Sequence, residues 1–130
     1  MSYSNAAAAY RERDILTASP AQLVVLVYDH ALSNLMRART AHEKGLEPQC
    51  FEALNKARET IMELVITLDD ERGGDIAKNL RSLYTFILTE LVDAGVRFDA
   101  VRLDRITTIV SELRGAFATI VADATRASAA

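Results

Sequence analysis

Two histidines, one cysteine and one dense acidic run are the side chains here whose types and spacing could do chemistry. The first chemistry to test is a carboxylate-bridged di-iron centre. In a helical bundle it needs Glu-x-x-His on two helices and a further Glu on each of the other two. The residues three before His30 and His42 are Val27 and Arg39, so both histidines lack the glutamate. The second is histidine phosphotransfer, in which an exposed histidine accepts a phosphoryl group. His42-Glu43-Lys44-Gly45 resembles that arrangement only faintly and falls at a helix end rather than mid-helix, so a solvated histidine near a C-terminus is expected. Cys50 is the single cysteine and makes no internal disulfide. As one thiol without clustered ligands, it is expected to be a small buried or half-buried helical side chain. Asp69-Asp70-Glu71-Arg72 reads as a solvated helix end rather than an acid/base pair, and Gly73-Gly74 as a turn rather than a phosphate cradle. No nucleophile elbow, phosphate-binding glycine loop or zinc-ligand spacing occurs. The expectation is a protein that is not an enzyme and takes neither metal nor cofactor.

A chain of 130 residues suits one domain with one core. Half of the residues are apolar and 25% are charged, the balance of a soluble globular chain. Fifteen basic against 18 acidic residues give a net charge of −3 with no basic patch, which argues against nucleic acid as the partner. The opening MSYSNAAAAYRERD lacks an apolar signal core, and the run Leu23 to Tyr28 is far too short to span a membrane, so a reducing cytoplasm is expected. Breakers divide the chain into an N-terminal segment, 1–18, and four helices over about 20–44, 48–70, 75–95 and 99–123. Ser19 is placed to cap the first helix, with Pro20 at its first position and Gln22 completing a capping box. Gly45 is its left-handed stop. Pro48 opens the second helix, Gly73-Gly74 breaks the chain before the third, and Asp99 caps the fourth, with Phe98 and Leu103 spaced as a hydrophobic staple. Phe51, Leu54, Ile61, Val65 and Leu68 recur at helical spacing, as do Ile76, Leu80, Leu83, Ile87 and Leu91, and Ile106, Val110, Leu113, Phe117 and Ile120. Short connections then predict an all-α fold, an antiparallel four-helix bundle with a short N-terminal cap segment.

Turning the sequence at about 100° per residue shows which helices are more apolar than one core face requires. The fourth confines its large apolar residues, Val101 apart, to an arc of roughly 140° and leaves nothing over. In the first helix, Val24, Val25, Tyr28, Ala31, Leu32, Leu35 and Met36 make a full core stripe, while Leu23 and Leu26 project on roughly the opposite side with His30 between them. In the third, Phe86 lies well away from Leu88 and Val92. Two readings stand: central helices that bury more than one side, or a spare apolar face that forms a groove for a partner helix or extended peptide. Tyr10, Ile15 and Leu16 are apolar anchors by which the N-terminal segment could cover part of such a groove.

Tyr10, then Thr17-Ala18-Ser19-Pro20, then Leu23-x-x-Leu26-x-Tyr28-Asp29-x-Ala31-Leu32 resembles the start of the flagellin export chaperones of the FliS family. Leu68-Asp69-x-Glu71-x-Gly73-Gly74-x-Ile76-Ala77-x-Asn79-Leu80-x-x-Leu83-Tyr84 is similar to that family's second block, and Leu91-Val92-x-Ala94 followed by Asp99 to its turn into the last helix. The resemblance covers roughly residues 10 to 121. His30 stands where a glycine is usual and Phe117 where a tryptophan is often found, and the Ala6-to-Ala9 run replaces a polar and aromatic lead-in. The resemblance implies a cytoplasmic chaperone that holds the disordered C-terminal segment of flagellin, prevents premature polymerisation and helps deliver it to the flagellar type III export apparatus. Tyr10, Ile15, Leu16, Leu23, Leu26, His30 and Phe86 are then the expected partner contacts. Dimerisation of the free protein through the same groove is left open. A helical phosphotransfer or signalling domain, and an adaptor for another secretion substrate, are the alternatives.

Overall fold

Proline, glycine and aspartate punctuate this chain, and the backbone obeys them. The computed structural model describes residues 20–129, which form α1 (Pro20–Glu43), α2 (Glu47–Ile66), α3 (Asp70–Val96) and α4 (Ala100–Ala129), with no strand among the described residues. Ser19, and so the expected capping box, lies outside the described residues, as does the segment carrying Tyr10, Ile15 and Leu16. α1 ends where Gly45 adopts φ +72°, a conformation that costs a side-chain-bearing residue but not glycine. There the Leu46 N–H donates to the Ala41 carbonyl at 2.8 Å and the Gly45 N–H to the His42 carbonyl at 3.0 Å, the paired bonds of a Schellman turn. Pro48 occupies the first turn of α2, where its missing N–H is harmless.

α2 stops at Ile66, earlier than the expected 70, because Asp69 is taken up by the next helix. Its carboxylate accepts from the N–H groups of Glu71 and Arg72, at 3.1 and 3.2 Å. The acidic run is therefore the capped start of α3 rather than a solvated end of α2. The expected glycine break is present: Gly74, at φ 52° and ψ −126°, separates a first turn from the helix proper, which runs from Asp75. Arg81 reaches back across that kink to Asp70, 2.5 Å away, and this bond holds the Asp70 carboxyl below its usual range. Asp99 caps α4 through the N–H groups of Val101 and Arg102, at 3.0 and 3.3 Å, as the sequence predicts. α4 continues past 123 to Ala129 on helix-favouring Ala and Arg.

α1 packs on α2 and α4, and α3 packs on α2 and α4, so α1 and α3 occupy diagonal corners. Asp29 pairs with Arg114, and Arg39 with Asp104, so the numbering runs opposite ways along α1 and α4 and fixes them as antiparallel. The core is built from Tyr28, Leu35, Leu54, Ile61, Leu64, Tyr84, Ile87, Leu91, Leu103, Ile106 and Val110. Each such aliphatic side chain contributes roughly 1.5–3 kcal/mol by leaving water. Ala31, Ala38 and Ala57 are fully buried, and these small side chains let α1 and α2 approach closely. At the centre the hydroxyls of Tyr28 and Tyr84 hydrogen-bond each other across the diagonal, and Phe117 lies 5.5 Å from Tyr28 by ring centroids. Phe117 thus fills an inner position, as expected.

Four residues read as core or as regular helical periodicity face outward instead. Met36 is 65% exposed, Phe51 53%, Ile76 71% and Ile120 55%. Met36 and Phe51 sit at the edge of their stripes, where about 100° per residue turns them past the neighbouring helix. Ile76 follows the Gly74 kink, and Ile120 lies where α4 runs toward the end of the bundle.

Candidate partner-binding surface

Phe51, Asn55, Arg58 and Met62 recur every three or four residues and so share one face of α2. Across from them α3 presents Leu91, Val92, Gly95 and Val96, and a groove of about 310 Å³ opens between the helices. Leu54 and Leu91 are its buried floor. Its walls are apolar and wet: Val92 is 48% exposed and Val96 85%, and Met62 and Ile66 extend the apolar strip along α2. The Phe51 ring lies over Gly95, where an added Cβ would sit 3.6 Å from it, an ordinary contact. Asn55 and Arg58 are its polar lining. The Arg58 Nε is buried and has no hydrogen-bond partner among the described residues. A buried donor left in that state costs about 1–3 kcal/mol, and a guest bringing an acceptor would relieve it.

The expected contact residues fall on other faces. Leu23 and Leu26 on α1 are half-buried and His30 is exposed, and their three- and four-residue spacing aligns them on one face. His30 takes its place in a local polar knot: the Asn34 amide donates to the His30 carbonyl at 3.1 Å and lies 3.3 Å from its Nε2. Phe86 is 50% exposed on α3 but lies about 120° round that helix from Val92. The fold therefore brings Leu23, Leu26 and His30 together and leaves Phe86 on a separate helix at the diagonal corner. Phe51, Met62 and Ile66 lie about 60–120° round α2 from Leu54, at the edge of its buried stripe, so this helix too is more apolar than one core face requires.

Cys50 is a small buried helical side chain, as expected, but it does not stand alone: the α1–α2 corner brings His42 and Glu47 beside it, with ligand atoms all within 4.8 Å of one another. His42 Nδ1 is 3.1 Å from Glu47 Oε1, and its ring stacks on Phe98 with centroids 3.7 Å apart. Burial first, and the Glu47 charge second, push the Cys50 thiol up. No helix among the described residues is long and apolar enough to cross a membrane.

These features define a class: a helical bundle with an open, largely apolar groove between α2 and α3. The chain belongs to the family described as flagellar protein FliS, whose family model matches residues 3–124. It is 37% identical to the flagellar secretion chaperone FliS of Salmonella typhimurium over 107 residues, 82% of this chain and 79% of that protein. It is 33% identical to the Vibrio cholerae flagellar secretion chaperone FliS over 106 residues, 82% and 78% of the two chains. To the Bacillus subtilis flagellar secretion chaperone FliS it is 27% identical over 117 residues, 90% and 86% of the two chains.

Proposed function

We propose that this chain is a cytoplasmic chaperone for flagellin, holding the disordered C-terminal segment of the newly made subunit and presenting it for flagellar export. The observation that carries the reading is the exposed apolar groove between α2 and α3, in a chain of the flagellar secretion chaperone family. A segment that would otherwise polymerise through its apolar face can lay that face along Phe51, Val92 and Val96. Binding then requires no nucleotide, because apolar burial offsets the cost of ordering the segment, about 2–5 kcal/mol or more. A segment long enough to meet that cost reaches beyond one groove, so the α1 face at Leu23, Leu26 and His30, and Phe86 on α3, are further stretches of its track.

The test is a calorimetric titration of the purified chain with flagellin and with flagellin lacking its C-terminal segment. The full subunit is expected to bind and the truncated one to lose binding. Equal affinity for both would refute the reading.

A further inference from the structure

We propose that His42 Nδ1, Glu47 Oε1 and Cys50 Sγ form a three-ligand site for a thiophilic divalent ion of the zinc class, at the corner where α1 turns into α2. The three ligand atoms lie within 4.8 Å of one another, and the His42–Glu47 pair is 3.1 Å apart. A tetrahedral ion bonded at about 2.0–2.1 Å to nitrogen and oxygen holds those two atoms roughly 3.3 Å apart, so one edge of the polyhedron is already set. The edges to sulfur need to close to roughly 3.5 Å, a side-chain adjustment within the present cluster.

Rigid elements supply the positioning. The Schellman turn at Gly45 locks the end of α1 against the start of α2. Glu47 and Cys50 are three residues apart in the first turns of α2 and so share a face. The His42 ring is held flat against Phe98, its plane within 20° of the phenyl. Cys50 is buried on the inner side while Glu47 is exposed, so an ion enters from solvent and water completes the fourth position. Thiolate, imidazole and carboxylate together favour zinc or cobalt over magnesium or calcium, which take oxygen ligands. On binding, the Cys50 S–H bond breaks, its proton leaves to solvent and the sulfur electron pair goes to the ion. The Nδ1 hydrogen that faces the Glu47 carboxylate in the empty site is given up to solvent, the ring keeps one hydrogen on Nε2, and the freed Nδ1 lone pair goes to the ion. The site uses no residue of the proposed flagellin groove: Cys50 and the groove residue Phe51 are neighbours in sequence but about 100° apart round α2.

The experiment uses the full chain, untagged, reduced and metal-free, titrated with Co²⁺ and then Zn²⁺. The expected result is a thiolate-to-cobalt charge-transfer band saturating at one equivalent, bleached by one equivalent of Zn²⁺, together with a higher melting temperature in the presence of Zn²⁺. Cys50→Ser should abolish the band, and its affinity should fall at least about 100-fold, since even ligand-supporting groups carry 10–100-fold effects. Glu47→Gln alters an exposed residue, keeps the helical signal in circular dichroism and should weaken binding at least about 10-fold, which holds the test open if Cys50→Ser does not fold. Absence of the charge-transfer band, or a band of unchanged affinity in Glu47→Gln and His42→Gln, would overturn the site.

Discussion

Phe51→Ala is the sharpest perturbation of the groove, and its size can be worked from exposure. A phenylalanine side chain offers roughly 200 Å², and Phe51 leaves 53% of its surface in water. A guest that covers the ring therefore removes roughly 100 Å² from water, about 2.5 kcal/mol. Alanine keeps only the Cβ share, so the variant should lose about 2 kcal/mol of binding, or about 30-fold in Kd. The half of the ring already packed against α3 is lost too, so the free protein should be destabilised by a similar amount and its melting temperature lowered. The assay pairs a thermal melt with a titration of the flagellin C-terminal segment, run well below the variant's melting point. Phe86→Ala is the matched comparison, because Phe86 is 50% exposed on a different face of α3. Loss in Phe51→Ala alone confines the guest to the α2–α3 groove, and loss in both shows a guest that wraps the bundle. Unchanged binding in Phe51→Ala, with the protein still folded, would refute the groove.

Arg58→Met keeps the aliphatic stem but removes the buried unpaired donor. Thermal melts should show equal or higher stability, while the same titration shows weaker guest binding if the guest supplies the acceptor. Leu26→Glu, at a half-buried position on α1, should lower the melting temperature yet leave the bundle folded. It should weaken binding by about 2 kcal/mol where a guest crosses that face, since the new carboxylate must be desolvated. Tyr84→Phe strands the buried Tyr28 hydroxyl and should cost about 1–3 kcal/mol by denaturant titration, with Tyr28→Phe/Tyr84→Phe costing less than the sum of the single variants. Burial pushes both phenols up from their usual range. Their folded state favours the neutral form, so this stability is complete below pH about 10 and is lost as pH rises above it. Alkaline melts of the wild type should therefore fall more steeply than those of the double phenylalanine variant.

Local signals made most helix ends legible. Pro48, Gly45, Gly74 and Asp99 each act through their own backbone or side chain, and each sits where its chemistry requires. The end of α2 was hidden because Leu68 continues the apolar period while Asp69 captures the N–H groups of Glu71 and Arg72, and the cap wins. The far end of α4 was hidden for the opposite reason, since propensity carries the helix beyond the last apolar contact. Face assignments fared worse than boundaries. Periodicity tells which residues lie together on a helix, but only the packing of neighbours decides whether Phe51 or Met36 is covered. The corner cluster was beyond the pattern altogether: His42 and Cys50 are on different helices, and only the geometry of the Gly45 turn brings them together.

The uneven tightness of the bundle bears on how it can hold another chain. α1 and α2 meet through fully buried alanines, which permit close backbone approach and leave little room between them. α3 meets the bundle through Tyr84, Ile87 and Leu91 as well as buried Ala77 and Ala94, with the groove beside α2 still open. Under the proposed function, a guest in that groove would touch α2 and α3 at once, so its binding energy would add to the adhesion of α3 and stabilise the folded state by mass action. The same apolar contacts, spread along a track and half exposed before binding, are individually weak. They secure a long segment only in sum. Peeling one end of the guest then exposes a few side chains at a time rather than a whole core, so a chaperone of this design can hold a cargo firmly and still release it stepwise.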